Sequence, residues 1–427
     1  MKKIALLLFL VPLAIGCNNG NDLVPELSRG GEPDKNIVPV ERHDIRLTSA
    51  QKTLVSKGNT FAFNLFKEVL SREEGSFMVS PLSVEYALAM LCNGAAGNTR
   101  DEILKLLDFG NDQIDFVNDF YGYLTKELYG ADNTVLLNLA NALVYNTRYT
   151  GIKKDYISSL ENYYDALVKG FDFSKDAQSA LSFINNWADE QTYGMIPKLL
   201  STLDPDLYLV LMNALYFKGN WNSKNKFKES DTAVGDFSVS KGKTHKEKYM
   251  YQESTIPYGY NNYFQLVSLC YGNGAYAMDL IVPHENVSLE DALSSLSKYN
   301  YPVPLGGDRF VKVKLPVFET ESDKIKLDDA LIDVGMKDAF DSAKADFSRM
   351  AEEKVWVSEI FQKSRIKVNE KGSEAAAVTV VMMAASAGPN FTPPPVPEVY
   401  ATRPFIYIIR ETSTNAILFM GVYKGRK

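Results

Sequence analysis

The chain has 427 residues, of which 45% are hydrophobic and 23% are charged, a composition typical of a globular protein with a large buried core. The net charge is only -7, and no run of lysine and arginine carries interleaved aromatic residues, so nucleic acid is not an expected partner. Three cysteines are too few for a disulfide framework at this size. We expect one large domain without cofactor or metal.

The first sixteen residues have the pattern of a secretory signal peptide. Lys2-Lys3 precede an apolar run that is too short for a stable transmembrane helix. Small residues then stand directly before Cys17, which resembles the site at which bacterial lipoproteins are cleaved and acylated. We predict that residues 1–16 are removed and that lipid on Cys17 anchors the protein at an outer-membrane, periplasmic or cell-surface face. Without that lipid the protein would be extracellular.

Residues 17–47 are polar and contain several glycines and prolines, with little apolar periodicity. This composition is typical of a flexible segment. We interpret it as a tether between the lipid anchor and a domain that spans residues 48–427. No second linker and no internal repeat follows, so a single domain is the simplest organisation.

The domain begins with two predicted helices, and strand-like runs alternate with helical patterns after them. Apolar residues at helical spacing lie within residues 62–70, and a second helix is predicted to begin near Ser80 and to end at Gly94. The run 207–217 is apolar on both faces, as in a strand at the middle of a covered sheet. The fold class is therefore α+β with a large mixed sheet. Further strands are predicted at 135–145, 276–282 and 310–318, and further helices at 156–168 and 181–188.

A long segment of small and β-branched residues lies near the C-terminus, at 375–386. It has the composition of a strand but is followed by Gly388-Pro389 and by prolines at 393–395 and 397, which are typical of a linker. An apolar segment of this length is an aggregation risk when exposed, and natural sequences avoid one unless it is used. The segment is therefore the leading candidate for a functional region.

The residues Glu370-Lys371-Gly372-Ser373-Glu374-Ala375-Ala376-Ala377 resemble the hinge of the reactive loop in the serpins, the serine protease inhibitors. Other serpin-like motifs follow one another in the family's order over nearly the whole domain: Ser80-Pro81-Leu82-Ser83, Gly94-Ala95-Ala96-Gly97-Asn98-Thr99, Asn185-Asn186-Trp187, Asn213-Ala214-Leu215-Tyr216-Phe217-Lys218-Gly219-Asn220-Trp221, Asp346-Phe347-Ser348 and Arg403-Pro404-Phe405. The resemblance implies the serpin fold, with large mixed β-sheets, about eight to nine helices and an exposed reactive loop at about 370–400.

The resemblance also implies a suicide mechanism. A protease attacks the loop and forms an acyl-enzyme, and the freed loop then slips into the main sheet as an extra strand and traps the enzyme. Ser373, Ala375 and Ala377 would share the buried face of that strand, and Glu374 would point to solvent. The implied hinge comprises Glu370, Gly372, Ser373, Glu374, Ala375, Ala376 and Ala377.

Counting from Glu370 in the serpin pattern places the reactive bond between Ser386 and Ala387, with the bonds after Ala385 and Met383 as alternatives. The resemblance further implies a latch that controls the opening of the sheet. Its residues would be Ser80, Ser83, Asn213 and Gln362. Gln362 stands where serpins usually carry histidine, and its amide can hydrogen-bond to Asn213 or Ser80.

The loop composition restricts the target proteases. No lysine, arginine or aspartate occurs between Gly372 and Thr402, which disfavours trypsin-like and Asp-directed enzymes. Small residues around the reactive bond suit elastase-like or subtilisin-like serine proteases, and papain-like cysteine proteases are also compatible. Residues 101–129 contain few cations, so no heparin-type activator is expected. We expect a monomer.

An enzyme is not expected. The chain has only three histidines; His43 lies in the predicted tether, and neither His245 nor His284 has a metal-ligand spacing. No G-x-S-x-G motif is present. Two alternatives stay open: a non-inhibitory serpin that acts as a binding protein, and a solute-binding lipoprotein with two α/β lobes. The small hinge residues favour inhibition over the first, and the order of the motifs argues against the second.

Overall fold

The computed structural model describes residues 2–8, 39–110, 114–149, 151–240, 242–299, 301, 306–373 and 395–426, with the backbone alone for 2–8 and 373. Within them lie eight α-helices: α1 Ser49–Leu70, α2 Pro81–Gly94, α3 Gly97–Leu106, α4 Ile114–Ala131, α5 Lys154–Tyr164, α6 Ala177–Gln191, α7 Leu289–Ser297 and α8 Asp328–Asp333. The α+β class is confirmed. No helix in this part of the chain is long and apolar enough to cross a membrane.

The strands of the same residues form two large sheets. They are β1 Lys2–Leu8, β2 Phe77–Val79, β3 Leu136–Asn146, β4 Leu167–Phe171, β5 Leu207–Asn220, β6 Ala233–Ser240, β7 Lys243–Tyr260, β8 Phe264–Cys270, β9 Tyr276–Pro283, β10 Asp308–Pro316, β11 Phe318–Lys326, β12 Val355–Val368, β13 Gly372–Ser373, β14 Glu398–Tyr400, β15 Phe405–Glu411 and β16 Ile417–Tyr423.

The main sheet has the strand order β11-β12-β1-β5-β3-β4, with β13 paired to β5. The second sheet runs β14-β10-β7-β8-β9-β15-β16-β2, with β6 paired to β7. Strand β5 is buried along almost its whole length, because α6 and the segment after it cover one face of the sheet and α2 lies behind the other. This arrangement accounts for the apolar run at 207–217.

Local sequence signals set the starts of the first two helices. Thr48 caps α1 through a capping box: its hydroxyl accepts from the Gln51 backbone N–H at 3.3 Å, and the Gln51 side chain accepts from the Thr48 N–H at 2.9 Å. Ser80 caps α2 by accepting from the Ser83 N–H at 3.2 Å, and Pro81 follows at the first helical position. Helix α2 is buried on nearly every side and lies at the centre of the molecule.

Two predicted elements have different boundaries. The helix predicted at 156–168 ends at Tyr164, because Asp165 adopts a left-handed conformation (φ 48°) and strand β4 begins at Leu167. The single strand predicted at 310–318 is two strands, β10 and β11, which separate after Pro316. Proline has no N–H to donate to a continuing ladder.

The N-terminal segment contributes a strand to the main sheet. Lys2–Leu8 lies between β5 and β12 and runs parallel to both, with Leu8 opposite Asn213 on one side and Gln362 on the other. These residues belong to the predicted signal peptide. We call the space between β5 and β12 the slot.

The end of the predicted tether is docked on the domain. The Val40 N–H donates to Asn133 Oδ1 at 3.0 Å, and Arg42 Nη1 donates to the Gly274 carbonyl at 3.2 Å. Ile45 is buried, and its N–H donates to Ser413 Oγ at 2.9 Å. The tether interpretation therefore does not apply to residues 39–47, while residues 17–38, including Cys17, lie outside the described residues.

Candidate functional site: the slot in the main sheet

Strand β12 leads directly into the hinge. Asn369 and Gly372 exchange two backbone hydrogen bonds, of 3.0 and 3.1 Å, and thereby enclose Glu370 and Lys371 in a two-residue turn. Gly372 and Ser373 then pair antiparallel with Asn220 and Gly219 at the end of β5. The hinge thus forms the first rungs of a new strand at the end of the slot.

Gly372 has a backbone that no other residue would fit. Its φ is +131°, and a Cβ there would lie 2.4 Å from the Gly219 carbonyl oxygen and 2.7 Å from the Trp221 nitrogen. Only glycine combines this dihedral angle with so close an approach to the neighbouring strand. The family resemblance singled out Gly372 from the sequence, and this geometry explains why the position requires glycine.

Glu370 is tied down by two residues that the sequence did not single out. Its Oε1 accepts from Lys248 Nζ at 3.1 Å and from Thr232 Oγ1 at 2.9 Å, and its side chain is 8% exposed. Burial opposes its ionisation, but its own backbone N–H, Lys248 and Thr232 prevail and hold the pKa of Glu370 below its ordinary value. We call Glu370, Lys248 and Thr232 the hinge clasp. Thr232 and Lys248 lie far away in sequence, where no local pattern marks them.

Trp221 braces the hinge from the end of β5. Its backbone N–H donates to the Lys371 carbonyl at 3.0 Å, and its indole Nε1 donates to the Asn369 carbonyl at 2.9 Å. The indole stacks on Tyr271, with ring centroids 4.6 Å apart. Trp221, which the sequence analysis noted only as part of a motif, thus donates to two carbonyls of the hinge turn.

The predicted latch residues meet behind the slot, where all four are buried. On the β12 side, Gln362 Oε1 accepts from the Ser80 backbone N–H at 2.7 Å, and Gln362 Nε2 donates to the Ser80 carbonyl at 3.3 Å. On the β5 side, the Ser83 hydroxyl donates to Asn213 Oδ1, and Asn213 Nδ2 donates to Asn141 Oδ1 at 2.6 Å. Of the two partners considered for Gln362, Ser80 is the one it binds.

Both strands beside the slot are thus held by the first turn of α2. Gln362 of β12 binds Ser80, and Asn213 of β5 binds Ser83. Ser80 Oγ also donates to the Leu418 carbonyl at 2.7 Å, which fixes this turn on the second sheet. The strands can be spread only if these bonds break or the turn moves. Asn141 was missed by the sequence analysis, because its position on β3 carries no signal of its own.

An open cleft continues the slot beyond the end of β1. Its side walls are the stretches of β5 and β12 that face each other between the latch and the hinge. The segment after α6 covers its front, and β2, β15 and β16 contribute its floor. The lining residues are Met78, Ser80, Ser83, Thr192, Met195, Ile196, Leu215, Tyr216, Phe217, Gln362, Lys363, Ser364, Arg365, Ile366, Ile409 and Phe419.

Part of the predicted site lies outside the described residues. Ser373 is described by its backbone alone. The remaining hinge positions, the residues about the reactive bond and the lipidation site are not among those described; they are Glu374, Ala375, Ala376, Ala377, Met383, Ala385, Ser386, Ala387 and Cys17.

The fold and the site define a class of protein: a two-sheet α+β domain in which the hinge after β12 begins a new strand beside the main sheet. The chain matches the family model Serpin (serine protease inhibitor) over residues 56–424. The protein belongs to the serpin family, and the prediction made from the hinge and the ordered motifs is confirmed. Family membership sets aside the two-lobed solute-binding lipoprotein.

Individual relatives agree with this assignment. An uncharacterized serpin-like protein of Thermococcus kodakarensis is 34% identical, over 90% of this chain and 88% of its own length. The leukocyte elastase inhibitor of Xenopus laevis is 33% identical, over 88% of this chain and 100% of its own. The crystal structure of a highly specific serpin of the insect Tenebrio molitor has a TM-score of 0.75 and 27% identity, over 89% of this chain and 100% of that one.

Proposed function

We propose that this serpin is a suicide inhibitor of endopeptidases that traps the acyl-enzyme by inserting its cleaved loop into the slot. The observation that carries the proposal is the hinge geometry. Gly372 and Ser373 already pair with β5, and Asn369 and Gly372 turn the chain back beside β12. A loop freed at its far end can extend this ladder one residue at a time along both strands.

The strand registers support a single path of insertion. If the inserted loop continued the hinge pairing, Thr379 would lie opposite Asn213 on β5 and opposite Gln362 on β12. Leu8 of β1 lies opposite the same two residues. Three independent ladders therefore agree on the alignment of the slot.

The same register bears on the reactive bond. On β5, Ala385 would pair with Leu207, the first residue of the strand, and Ser386 would be the first residue beyond it. This register is compatible with cleavage after Ser386 or after Ala385, because all residues from Ser373 to Ala385 find a partner in both cases. Cleavage after Met383 would leave the last two rungs of β5, at Tyr208 and Leu207, unpaired.

The predicted signal peptide must leave the slot for this mechanism to operate. Lys2–Leu8 fills the slot as far as the latch and is parallel to β5, whereas the inserting loop would be antiparallel. We infer that removal of residues 1–16 vacates the slot, and that lipid on Cys17 then holds the inhibitor at a membrane outside the cytoplasm. The anchor is tested by the partition of the protein into detergent without phospholipase treatment. A Cys17→Ser variant should lose this partition.

The proposed targets are elastase-like and subtilisin-like serine proteases, with papain-like cysteine proteases as a further class. Residues 373–401 contain no lysine, arginine or aspartate, and small residues surround Ser386. One relative of similar sequence bears the name leukocyte elastase inhibitor. We propose a monomer that needs no heparin-type activator.

The test is a denaturing gel of the chain without its signal peptide and anchor cysteine, from Asn18 onward, after mixing with an elastase, a subtilisin or papain. A covalent band that survives SDS, together with a released C-terminal peptide that begins at Ala387, is expected. Clean cleavage without a covalent band for all three enzymes would make the protein a substrate and would favour the alternative, a non-inhibitory serpin that acts as a binding protein. A catalytically dead protease serves as the control, since it cannot form the acyl bond.

A further inference from the structure

We propose that Tyr164, Asn118 and Asn93 are positioning residues of the latch, because they join its rear side to the far end of α2 by a continuous path of hydrogen bonds. The inference rests on the proposed function, since it adds residues that control the same opening of the slot. None of these three residues lines the open cleft that continues the slot.

The path leaves the latch at Asn141 on β3. Asn141 Oδ1 accepts from Asn213, and Asn141 Nδ2 donates to the Tyr164 carbonyl at 2.7 Å. Tyr164 is the last residue of α5, where the left-handed Asp165 ends the helix, so the Tyr164 carbonyl has no later turn of α5 to bind. The end of α5 thus supplies the latch with a buried acceptor.

The Tyr164 hydroxyl continues the path on the other side of the residue. It donates to Asn118 Oδ1 of α4 at 2.6 Å. Asn118 and Asn93 then exchange two hydrogen bonds between their side-chain amides, of 3.0 and 2.9 Å. Asn93 is the last residue but one of α2, and it also donates to the Ala89 carbonyl at 2.9 Å. The path therefore returns to the helix that carries the latch.

The complete path is closed, because it begins in the first turn of α2 and ends in the last. We call it the latch circuit, and its members in order are Ser83, Asn213, Asn141, Tyr164, Asn118 and Asn93. The four middle members are at most 4% exposed. A buried polar group that loses its partner costs more than a surface hydrogen bond contributes, so each member supports the next.

The latch circuit bears on the opening of the slot through the stiffness of α2. The strands beside the slot separate only when the latch bonds break or the first turn of α2 moves. A helix of 14 residues moves as a rigid element, so a hold on its last turn restrains its first turn. Loss of a rear bond of the circuit should therefore weaken the latch without any change in a latch residue.

The test compares Tyr164→Phe with Tyr156→Phe in the chain from Asn18 onward. Tyr156 is a matched control, because it lies on the same buried face of α5, is 2% exposed, and its hydroxyl has no hydrogen-bond partner among the described residues. The readout is hydrogen exchange at the amides of Ser80 and Ser83, which donate to Gln362 Oε1 and to Ser80 Oγ in the first turn of α2.

Tyr164→Phe is expected to speed exchange at these two amides about two- to tenfold, the range of one hydrogen bond, and Tyr156→Phe should leave it unchanged. The amides of β9 in the second sheet are the reference, since a general loss of stability would speed exchange in both places. Equal acceleration at β9 and at the latch, or no acceleration at the latch, would overturn the proposal.

A second pair of variants separates the circuit from the cost of an unpaired hydroxyl. Asn118→Leu should speed exchange at the latch more than Tyr164→Phe does, because it leaves the Tyr164 hydroxyl buried without its acceptor. The double variant lacks that hydroxyl, so its unfolding midpoint should recover in part while exchange at the latch stays faster than in the parent. If exchange returned to the parent rate together with the midpoint, the circuit would have no role in holding the latch.

Failure of the proposed function would be recognised separately, because hydrogen exchange needs no protease. A parent chain that is cleaved but never traps a protease would refute the inhibitor proposal, and the exchange rates would still decide whether the circuit holds the latch. Where the parent traps, the half-life of its inhibitory activity on warming should shorten about two- to tenfold in Tyr164→Phe. An unchanged half-life would refute the role of the circuit in slot opening.

Discussion

The hinge clasp and the latch hold the two strands beside the slot, but they do so with different chemistry. The hinge clasp is one ion pair and one hydrogen bond at the rim, and its lysine side chain is 55% exposed. The latch is a set of neutral hydrogen bonds among buried groups, anchored on the first turn of α2. The first depends on charge and solvent, and the second depends on the satisfaction of buried polar groups.

This difference predicts the order in which the contacts would break if the sheet opened as proposed. A screened ion pair contributes little and can break at little cost, whereas a buried donor without a partner costs far more. The rim can therefore yield first while the latch keeps the middle of the sheet closed. Because Gln362 replaces the usual histidine of the family, the latch contains no group that titrates near neutral pH.

The largest expected effect comes from placing a charge on the buried face of the inserting strand. Ala375→Arg should abolish trapping and turn the protein into a substrate. Position 375 would lie opposite Phe217, which is buried, and an unpaired charge there costs about 3 kcal/mol or more. The measurement is the SDS-resistant band. Ala375→Ser is the control and should still trap; trapping by the arginine variant would contradict the insertion path.

The next effect concerns α2, the helix that carries the latch. Glu85 is buried beside Gly58, where an added Cβ would lie 2.5 Å from the Oε2 atom of Glu85. Burial raises the pKa of Glu85 to about 8, although a hydrogen bond from Tyr121 opposes the rise. The unfolded chain releases this proton at lower pH, so stability should fall as pH rises from about 4.5 to about 8. At pH 7 this raised pKa lowers the free energy of unfolding by about 3 kcal/mol relative to its value at low pH.

Glu85→Gln should remove that cost and flatten the dependence of unfolding free energy on pH across this interval. Denaturant unfolding at several pH values checks it. Glu74→Gln, at an exposed glutamate, is the control. A pH profile unchanged by Glu85→Gln would mean that Glu85 is ionised in the folded protein.

A smaller effect is expected at the latch itself. Gln362→Ala should reduce the free energy of unfolding by about 1–3 kcal/mol, because the Ser80 N–H and carbonyl lose their partner in a buried site. It should also hasten spontaneous loss of inhibitory activity on warming, since β12 is then free of α2. Gln362→His tests the chemistry of the latch: it should add a loss of stability below pH about 6.5, which the parent lacks.

The smallest effect is expected at the hinge clasp. Lys248→Met should cost about 0.5–1 kcal/mol at low salt and less at high salt, because the lysine is half-exposed. The pKa of Glu370 is lowered in the fold, so its stabilisation is present above about pH 4.5 and is lost as pH falls through the lowered value. Salt titration of the unfolding free energy, with Gln362→Ala as the salt-insensitive comparison, checks the contrast. If salt changed the unfolding free energies of both variants equally, the hinge clasp and the latch would not differ in their dependence on charge.

The interior strands and the family were readable from sequence, but particular boundaries and partners were not. The two-sided apolar run at 207–217 predicted a central strand, and β5 lies there. The end of α5 at Tyr164 depended on a left-handed Asp165, which periodicity does not reveal. The latch residues came from motifs, yet the choice of Ser80 as the partner of Gln362 depended on where the first turn of α2 packs.

The sequence by itself determined the α+β class, the serpin family, the loop with its small hinge residues and the absence of basic residues around Ser386, because these properties reside in short ordered motifs and in composition. Only the tertiary structure decided that Thr232 and Lys248 hold Glu370 and that Asn141 supports Asn213. Those pairings join residues distant along the chain, and strand register, which local sequence does not specify, brings them together.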